Sequence, residues 1–202
     1  MKGVSDMKQT NNNYELGKQL IHNSDFSVKS VKTFMGREGH GVNANIYFKN
    51  QKIGDVIDSG NGGELNINYY IGDEWMRTNK DVDDFLNTLP KHTFKEKGYD
   101  FRLDEITRFD AEEMWNELIN LYLIRREYKK DMRKVAVLRG DNVYTYNRKP
   151  SELGNKFRHN GDLNTLREIV LMKDKNSVIL NELPESESFS IWYENVYNQG
   201  GN

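Results

Sequence analysis

The feature that most constrains this chain is a strict alternation of apolar and polar side chains between residues 65 and 71. Leu65, Ile67, Tyr69 and Ile71 occupy every second position, with polar or tyrosine side chains between them. A period of two residues places successive side chains on opposite faces of a β-strand. Similar stretches follow Phe26 and Ala44, and short turns rich in Gly and Asn separate them. Residues 26–71 therefore predict an antiparallel β-meander with one apolar and one wet face.

Helical periodicity dominates the middle of the chain. Asp110 and Glu113 have the spacing of a capping box, and apolar side chains recur at helical spacing to about residue 133. We expect a helix over 110–133 whose apolar stripe packs on the meander. A second hairpin is expected around residues 135–146, followed by helices near 151–157 and 162–172 and a short strand over 177–180. Because the strands do not alternate regularly with helices, this order predicts the α+β class.

The length of 202 residues fits one domain. We expect residues 1–24 to be a flexible N-terminal segment, 25–197 to be a single α+β domain, and 198–202 to be a disordered tail.

Charge and composition restrict the function classes. Lys and Arg number 29 against 31 Asp and Glu, a formal charge of -2, which gives no overall reason to bind nucleic acid. The absence of cysteine excludes disulfides, thiol nucleophiles and thiolate metal sites. The first residues lack the apolar stretch of a signal peptide, and no apolar run approaches the roughly 20 residues of a membrane helix. We expect a soluble, cytoplasmic protein without a membrane partner.

The segment from Thr33 to Gly63 carries a resemblance to a known group. It contains Phe34 before a glycine-rich acidic loop, an Asn-Ala strand from Asn43, a lysine-containing turn, a strand ending at Asp58, and a Gly-Gly turn. This pattern resembles a group of small proteins of tailed bacteriophages to which no activity is assigned. The resemblance implies a viral accessory protein, made early to act on the host, and it assigns no site residues.

The glycine-rich loop is the first candidate site. Three glycines between Gly36 and Gly41 resemble a phosphate-binding loop, but a strand follows where such loops need a helix N-terminus. The simpler interpretation is a hairpin connection that needs unusual backbone angles. The alternative is a ligand or metal site, in which these loop residues converge: Arg37, Glu38, His40 and Asp58.

A basic stretch is the second candidate. Cations cluster near the end of the long helix and continue to Arg158. They could form a nucleic-acid face, although cations at a helix C-terminus are also favourable without a ligand. The residues of this candidate face are Arg125, Arg126, Lys129, Lys130 and Arg133.

Aromatic residues outside the predicted core form the third candidate. Such side chains commonly anchor partners, although they could equally dock on the chain's own core. The candidates for contact with a partner or with a second copy of the chain are Trp75, Trp192, Tyr193 and Tyr197.

No spacing typical of a serine hydrolase, a zinc protease or an EF-hand occurs, so no catalytic residue, metal ligand or cofactor is predicted. The leading hypothesis is a binding protein that contacts a host protein as a host-takeover or anti-defence inhibitor. Two alternatives stay open. One is a nucleotide- or metal-dependent enzyme or ligand binder using the glycine-rich loop. The other is a nucleic-acid-binding protein using residues 125–158, which the overall charge does not favour.

Overall fold

The computed structural model describes residues 3–70, 73–93 and 106–197, with side chains over 13–70, 79–92 and 108–197. The chain divides into two compact units, Met1–Leu123 and Ile124–Asn202. The domain predicted over 25–197 therefore comprises two compact units. The tail predicted to be disordered, 198–202, lies outside the described residues.

Within its described residues, the first unit contains two complete helices, the beginning of a third, and six strands. Its elements are α1 (Gly3–His22), β1 (Phe26–Met35), β2 (His40–Phe48), β3 (Gln51–Asp58), β4 (Asn66–Tyr69), α2 (Asp73–Thr88), β5 (His92–Thr93), β6 (Ile106–Thr107) and the first half of α3 (Ala111–Asp131). The α+β class is confirmed, and so is the meander, because β1 to β4 pair in sequence order and are antiparallel throughout.

Two local features shape the meander. The β2–β3 turn has positive φ at Lys49 (47°) and Asn50 (66°), as a two-residue hairpin turn requires. In β1 the register shifts between Lys29 and Lys32, and Ser30 has a φ of 57°. This β-bulge turns the following residues so that Val31 joins the buried face.

The core of the first unit lies between the apolar face of the meander and its helices. Ile46, Val56 and Trp115 are fully buried. The Trp115 indole Nε1 donates to the Tyr69 hydroxyl at 3.1 Å. The Asp110 carboxylate accepts from the Glu113 amide at 2.8 Å, and the Glu113 carboxylate accepts from the Asp110 amide at 3.2 Å. The predicted capping box is therefore present, and the helix that it starts packs its first half on the sheet.

The N-terminal segment, predicted as flexible over residues 1–24, contains the helix α1 from Gly3 to His22. Ile21 at its end is fully buried. The Tyr14 ring stacks on Phe109 with 5.4 Å between ring centroids. Gly17 is also buried against Phe109, where a larger side chain would collide with the ring. Apolar contacts thus hold the second half of this helix in the first unit.

The second unit contains a three-stranded sheet, a separate hairpin and short helices. Its elements are the second half of α3, β7 (Val135–Arg139), β8 (Asn142–Tyr146), a 3₁₀ turn (Pro150–Glu152), β9 (Lys156–His159), β10 (Asp162–Thr165), α4 (Leu166–Met172), β11 (Val178–Ile179), a 3₁₀ turn (Leu180–Glu182), α5 (Glu185–Trp192) and a π-helical turn (Tyr193–Tyr197). The predicted second hairpin is β7–β8, and β11 pairs with β7 on its other side.

The helices predicted near 151–157 and 162–172 are partly wrong. Lys156–His159 and Asp162–Thr165 form a hairpin, and the helix begins only at Leu166. Asn160 (φ 51°) and Gly161 (φ 93°) form the turn of this hairpin. Thr165 then caps α4 by accepting from the Glu168 amide.

No helix in the described ranges combines the length and apolarity needed to cross a bilayer.

Candidate functional site

The aromatic residues predicted as partner anchors lie in different environments. Trp192 is only 2% exposed, and its Nε1 donates to the Asp131 carboxylate at 3.0 Å, so this side chain packs on its own unit, which is the alternative given with its prediction. Tyr193 is half-buried and stacks on Tyr197, which is 49% exposed. Trp75 lies in α2, but its side chain is outside the described residues. The C-terminal segment therefore packs on its own unit.

The predicted loop cluster forms in part, because the β1–β2 loop contacts the loop after β3. The Glu38 amide donates to Gly60 O at 2.9 Å, and the Arg37 amide donates to Asn61 Oδ1 at 3.1 Å. The Asp58 carboxylate accepts from the Gly60 amide at 2.8 Å. These polar groups are used within the protein, which leaves fewer amides to hold a phosphate.

Among the described side chains, no cluster of metal-ligating groups supports the alternative of a metal site. His40 is exposed at the start of β2, and no group of three His, Asp or Glu side chains in the part of the chain with described side chains is arranged to hold an ion.

The basic stretch is partly neutralised by an acidic neighbour. Glu127 lies 3.1 Å from Lys130 Nζ and 4.0 Å from Arg126 Nε. The Arg125 guanidinium lies 5.6 Å from the centre of the Phe189 ring. Lys129 and Arg133 are exposed. The candidate face on α3 therefore carries fewer unpaired cations than its sequence indicates.

A charged cluster joins α1 to α3 in the first unit. His22 Nε2 lies 2.8 Å from Glu117 Oε1, and Lys18 Nζ lies 3.6 Å from the same oxygen. Burial acts to raise the pKa of Glu117, but the hydrogen bond from His22 and the charge of Lys18 outweigh it, so this pKa lies below its ordinary value. Burial raises the pKa of the Tyr14 hydroxyl nearby. Because the cluster connects two helices, we interpret it as a structural contact.

The outward surface of the meander gathers polar and aromatic side chains that sequence analysis did not single out. Strand pairing places their positions in rows across the sheet, such as Lys29–Asn45–Asp55–Asn68. None of these side chains is buried. We call this surface the open face, and its residues are Ser27, Lys29, Lys32, Phe34, Asn43, Asn45, Tyr47, Lys52, Asp55, Ile57, Asn66, Asn68 and Tyr70.

Two tyrosines on the open face each lie beside a lysine. Lys29 Nζ is 4.4 Å from the centre of the Tyr47 ring, and Lys52 Nζ is 5.0 Å from that of Tyr70. A hydrogen bond with the Tyr70 hydroxyl raises the pKa of Lys52, so this amine is cationic at neutral pH. Tyr70 is 46% exposed. The third ring, Phe34, lies over Gly41 at the other end of the sheet and is 42% exposed.

The amides of the open face supply hydrogen-bonding groups. Asn43 and Asn66 are exposed, and Asn45 is half-buried. Asn68 is already engaged, since its Nδ2 donates to Asp55 Oδ1 at 3.2 Å. Exposed amides offer both donors and acceptors, so this surface suits a polar ligand with planar groups.

A sequence signal for the open face exists but is weak on its own. Asn66, Asn68 and Tyr70 occupy alternate positions in and just after β4, and Asn43, Asn45 and Tyr47 occupy alternate positions in β2. The alternation predicts that each set shares a face. The register in which these strands pair is known only from the structure.

Comparison with protein-family models, with curated proteins and with solved structures finds no match for this chain.

Proposed function

We propose that this protein is a bacteriophage-encoded binding protein that acts on its host by docking a host macromolecule on the open face of the meander. The observation that carries the proposal is the unburied set of three aromatic rings and three largely free asparagine amides on one sheet surface. Exposed aromatic side chains bordered by polar groups are typical of interaction surfaces. The phage origin and the host-takeover or anti-defence role are supported only by the resemblance around the glycine-rich loop.

The test compares two exposed tyrosines. Tyr70 on the open face is 46% exposed, and Tyr144 on β8 is 48% exposed. Tagged wild-type protein, Tyr70→Ser and Tyr144→Ser are expressed in a bacterial host, and captured material is quantified by mass spectrometry and by sequencing of bound nucleic acid. We expect one macromolecule to be enriched by the wild-type protein and by Tyr144→Ser, and to be lost from Tyr70→Ser.

A second open-face variant tests whether capture depends on the face as a whole or on the Tyr70 ring alone. Ile57→Glu places a carboxylate in the middle of the face, where Ile57 is 37% exposed. Capture that survives both Tyr70→Ser and Ile57→Glu would contradict the proposal.

A further inference from the structure

We infer that the open face binds single-stranded nucleic acid. This inference rests on the proposed function and specifies the chemistry of its ligand. Three observations support it, namely the local charge of the face, its exposed rings, and its shortage of apolar surface.

The open face is locally cationic in an acidic part of the chain. Residues 1–123 contain 15 Lys and Arg against 20 Asp and Glu. The open face reverses this balance, with Lys29, Lys32 and Lys52 against the single carboxylate of Asp55. Cations concentrated on one surface of an acidic unit are suited to a ligand that carries regular negative charge.

The cations also follow the direction of β1. Lys29 and Lys32 lie on the strand, and Arg37 lies two residues beyond its end. A strand of 10 residues spans roughly 30 Å, which is long enough for several phosphates of an extended strand to contact these side chains.

The rings and amides beside this line suit unstacked bases. Four-stranded sheets with exposed aromatic rings are a recurring surface for single-stranded RNA, because each base stacks on a ring and presents its edge to polar groups. Tyr47 and Tyr70 supply rings, and Asn43, Asn45 and Asn66 supply donors and acceptors for base edges. In the complex, Lys29 and Lys52 would exchange their contacts with the rings for contacts with phosphates.

The same composition argues against a protein ligand. The centres of protein interfaces are depleted in lysine and rich in apolar area. Apart from its aromatic rings, the open face offers one large apolar side chain, Ile57. Double-stranded nucleic acid is disfavoured as well, because its bases are stacked on one another and cannot pack on the rings.

The experiment is fluorescence anisotropy with labelled oligothymidylate and oligouridylate of about 15 nucleotides, with a duplex of the same length as competitor. We expect saturable binding of single strands at low salt, at least about tenfold tighter than of duplex. Tyr47→Ser should weaken binding roughly tenfold or more. Lys29→Gln/Lys32→Gln should weaken it and reduce the salt dependence by about 1.4 in the slope of log K against log salt.

The controls lie in the second unit. Lys129→Gln/Lys130→Gln removes two exposed cations of α3, and Tyr144→Ser removes an exposed ring, and both should leave binding unchanged. If a variant of the open face fails to fold, an amide NMR titration of the wild-type protein replaces it. Shifts concentrated at Asn43, Asn45 and Asn66 are expected there.

Absence of saturable binding would overturn the inference, as would binding that only the α3 variant abolishes. If host capture depends on Tyr70 but no oligonucleotide binds, the inference fails and the proposed function stands. If oligonucleotides bind the open face but host capture does not depend on it, the proposed function fails and the inference stands.

Discussion

Trp192 donates its indole N–H to the carboxylate of Asp131 at 3.0 Å, which connects the last residue of α5 to the last residue of α3. The Trp192 ring also packs edge-on against Tyr128 in the core of the second unit. A side chain with these contacts contributes to the stability of the second unit.

We therefore expect Trp192→Ala to lower the free energy of unfolding by about 3–5 kcal/mol, because it removes a large buried ring. Tyr197→Ala is the control, since Tyr197 is 49% exposed, and it should change stability by no more than about 0.5 kcal/mol. Denaturant unfolding measures both. Equal stability of Trp192→Ala and the wild-type protein would contradict the packing described above.

Close approach of backbone to side chain requires glycine at position 41. A Cβ there would lie 2.7 Å from Asp58 O and would overlap the Phe34 ring. Gly41→Ala should destabilise the protein by about 1–3 kcal/mol, because backbone and ring must move. Gly39→Ala, where a Cβ meets nothing within 4 Å, should be nearly neutral in the same unfolding assay.

The pKa of Glu117 lies below its ordinary value, so the ionised carboxylate stabilises the folded protein. This contribution is present above the pKa of the unfolded chain and is lost as the pH falls through the folded pKa. Glu117→Gln should cost about 1–2 kcal/mol at pH 7, and its difference from the wild-type protein should disappear in acid. Unfolding free energies measured from neutral to acidic pH test this.

Glu113, four residues before Glu117, provides a control, because its pKa is shifted in the opposite direction. Burial raises the pKa of Glu113, so its contribution to stability is greatest in acid and is lost as the pH rises through the folded pKa. Glu113→Gln keeps an acceptor for the Asp110 amide. It should leave stability at pH 7 unchanged or slightly higher. A loss at pH 7 equal to that of Glu117→Gln would contradict this difference.

Gly161 in the β9–β10 turn allows the cost of backbone strain to be measured without steric crowding. Gly161 has a φ of 93°, and a Cβ there would meet nothing within 4 Å. Gly161→Ala should cost about 1–2 kcal/mol through backbone strain alone. Gly154 is equally open but has no positive φ, so Gly154→Ala should not destabilise the protein. Thermal unfolding of the two variants separates strain from crowding.

Local signals predicted much of the fold. The capping box at Asp110 and the alternation before residue 72 depend on neighbours in sequence, and both are confirmed. The β9–β10 hairpin differs from the helix predicted over 162–172, because Asn160-Gly161 is a strong turn signal and the helix begins only at Leu166. On the helix over 111–131, Leu118 is buried, whereas Tyr122 is only half-buried.

Contacts between the loops at residues 36–41 and 60–63, and the register of the open face, could not be predicted from the sequence. Among Gly36, Gly39, Gly41, Gly62 and Gly63, only Gly62 has a positive φ. Gly36 is instead required by the backbone of Ser59 and Gly60, and Gly41 by the Phe34 ring and Asp58 O. The rows of the open face depend likewise on register between strands, which local spacing does not specify.

The bulge at Ser30 has a consequence for the behaviour of the protein in concentrated solution. β1 is an edge strand, and an edge strand that is long and flat can recruit another chain into a continuous intermolecular sheet. The extra residue interrupts the regular spacing of free amides, and Lys29 and Lys32 on either side of it repel an identical strand. We therefore expect the bulge to hinder fibrillar pairing of β1, the longest strand among the described residues.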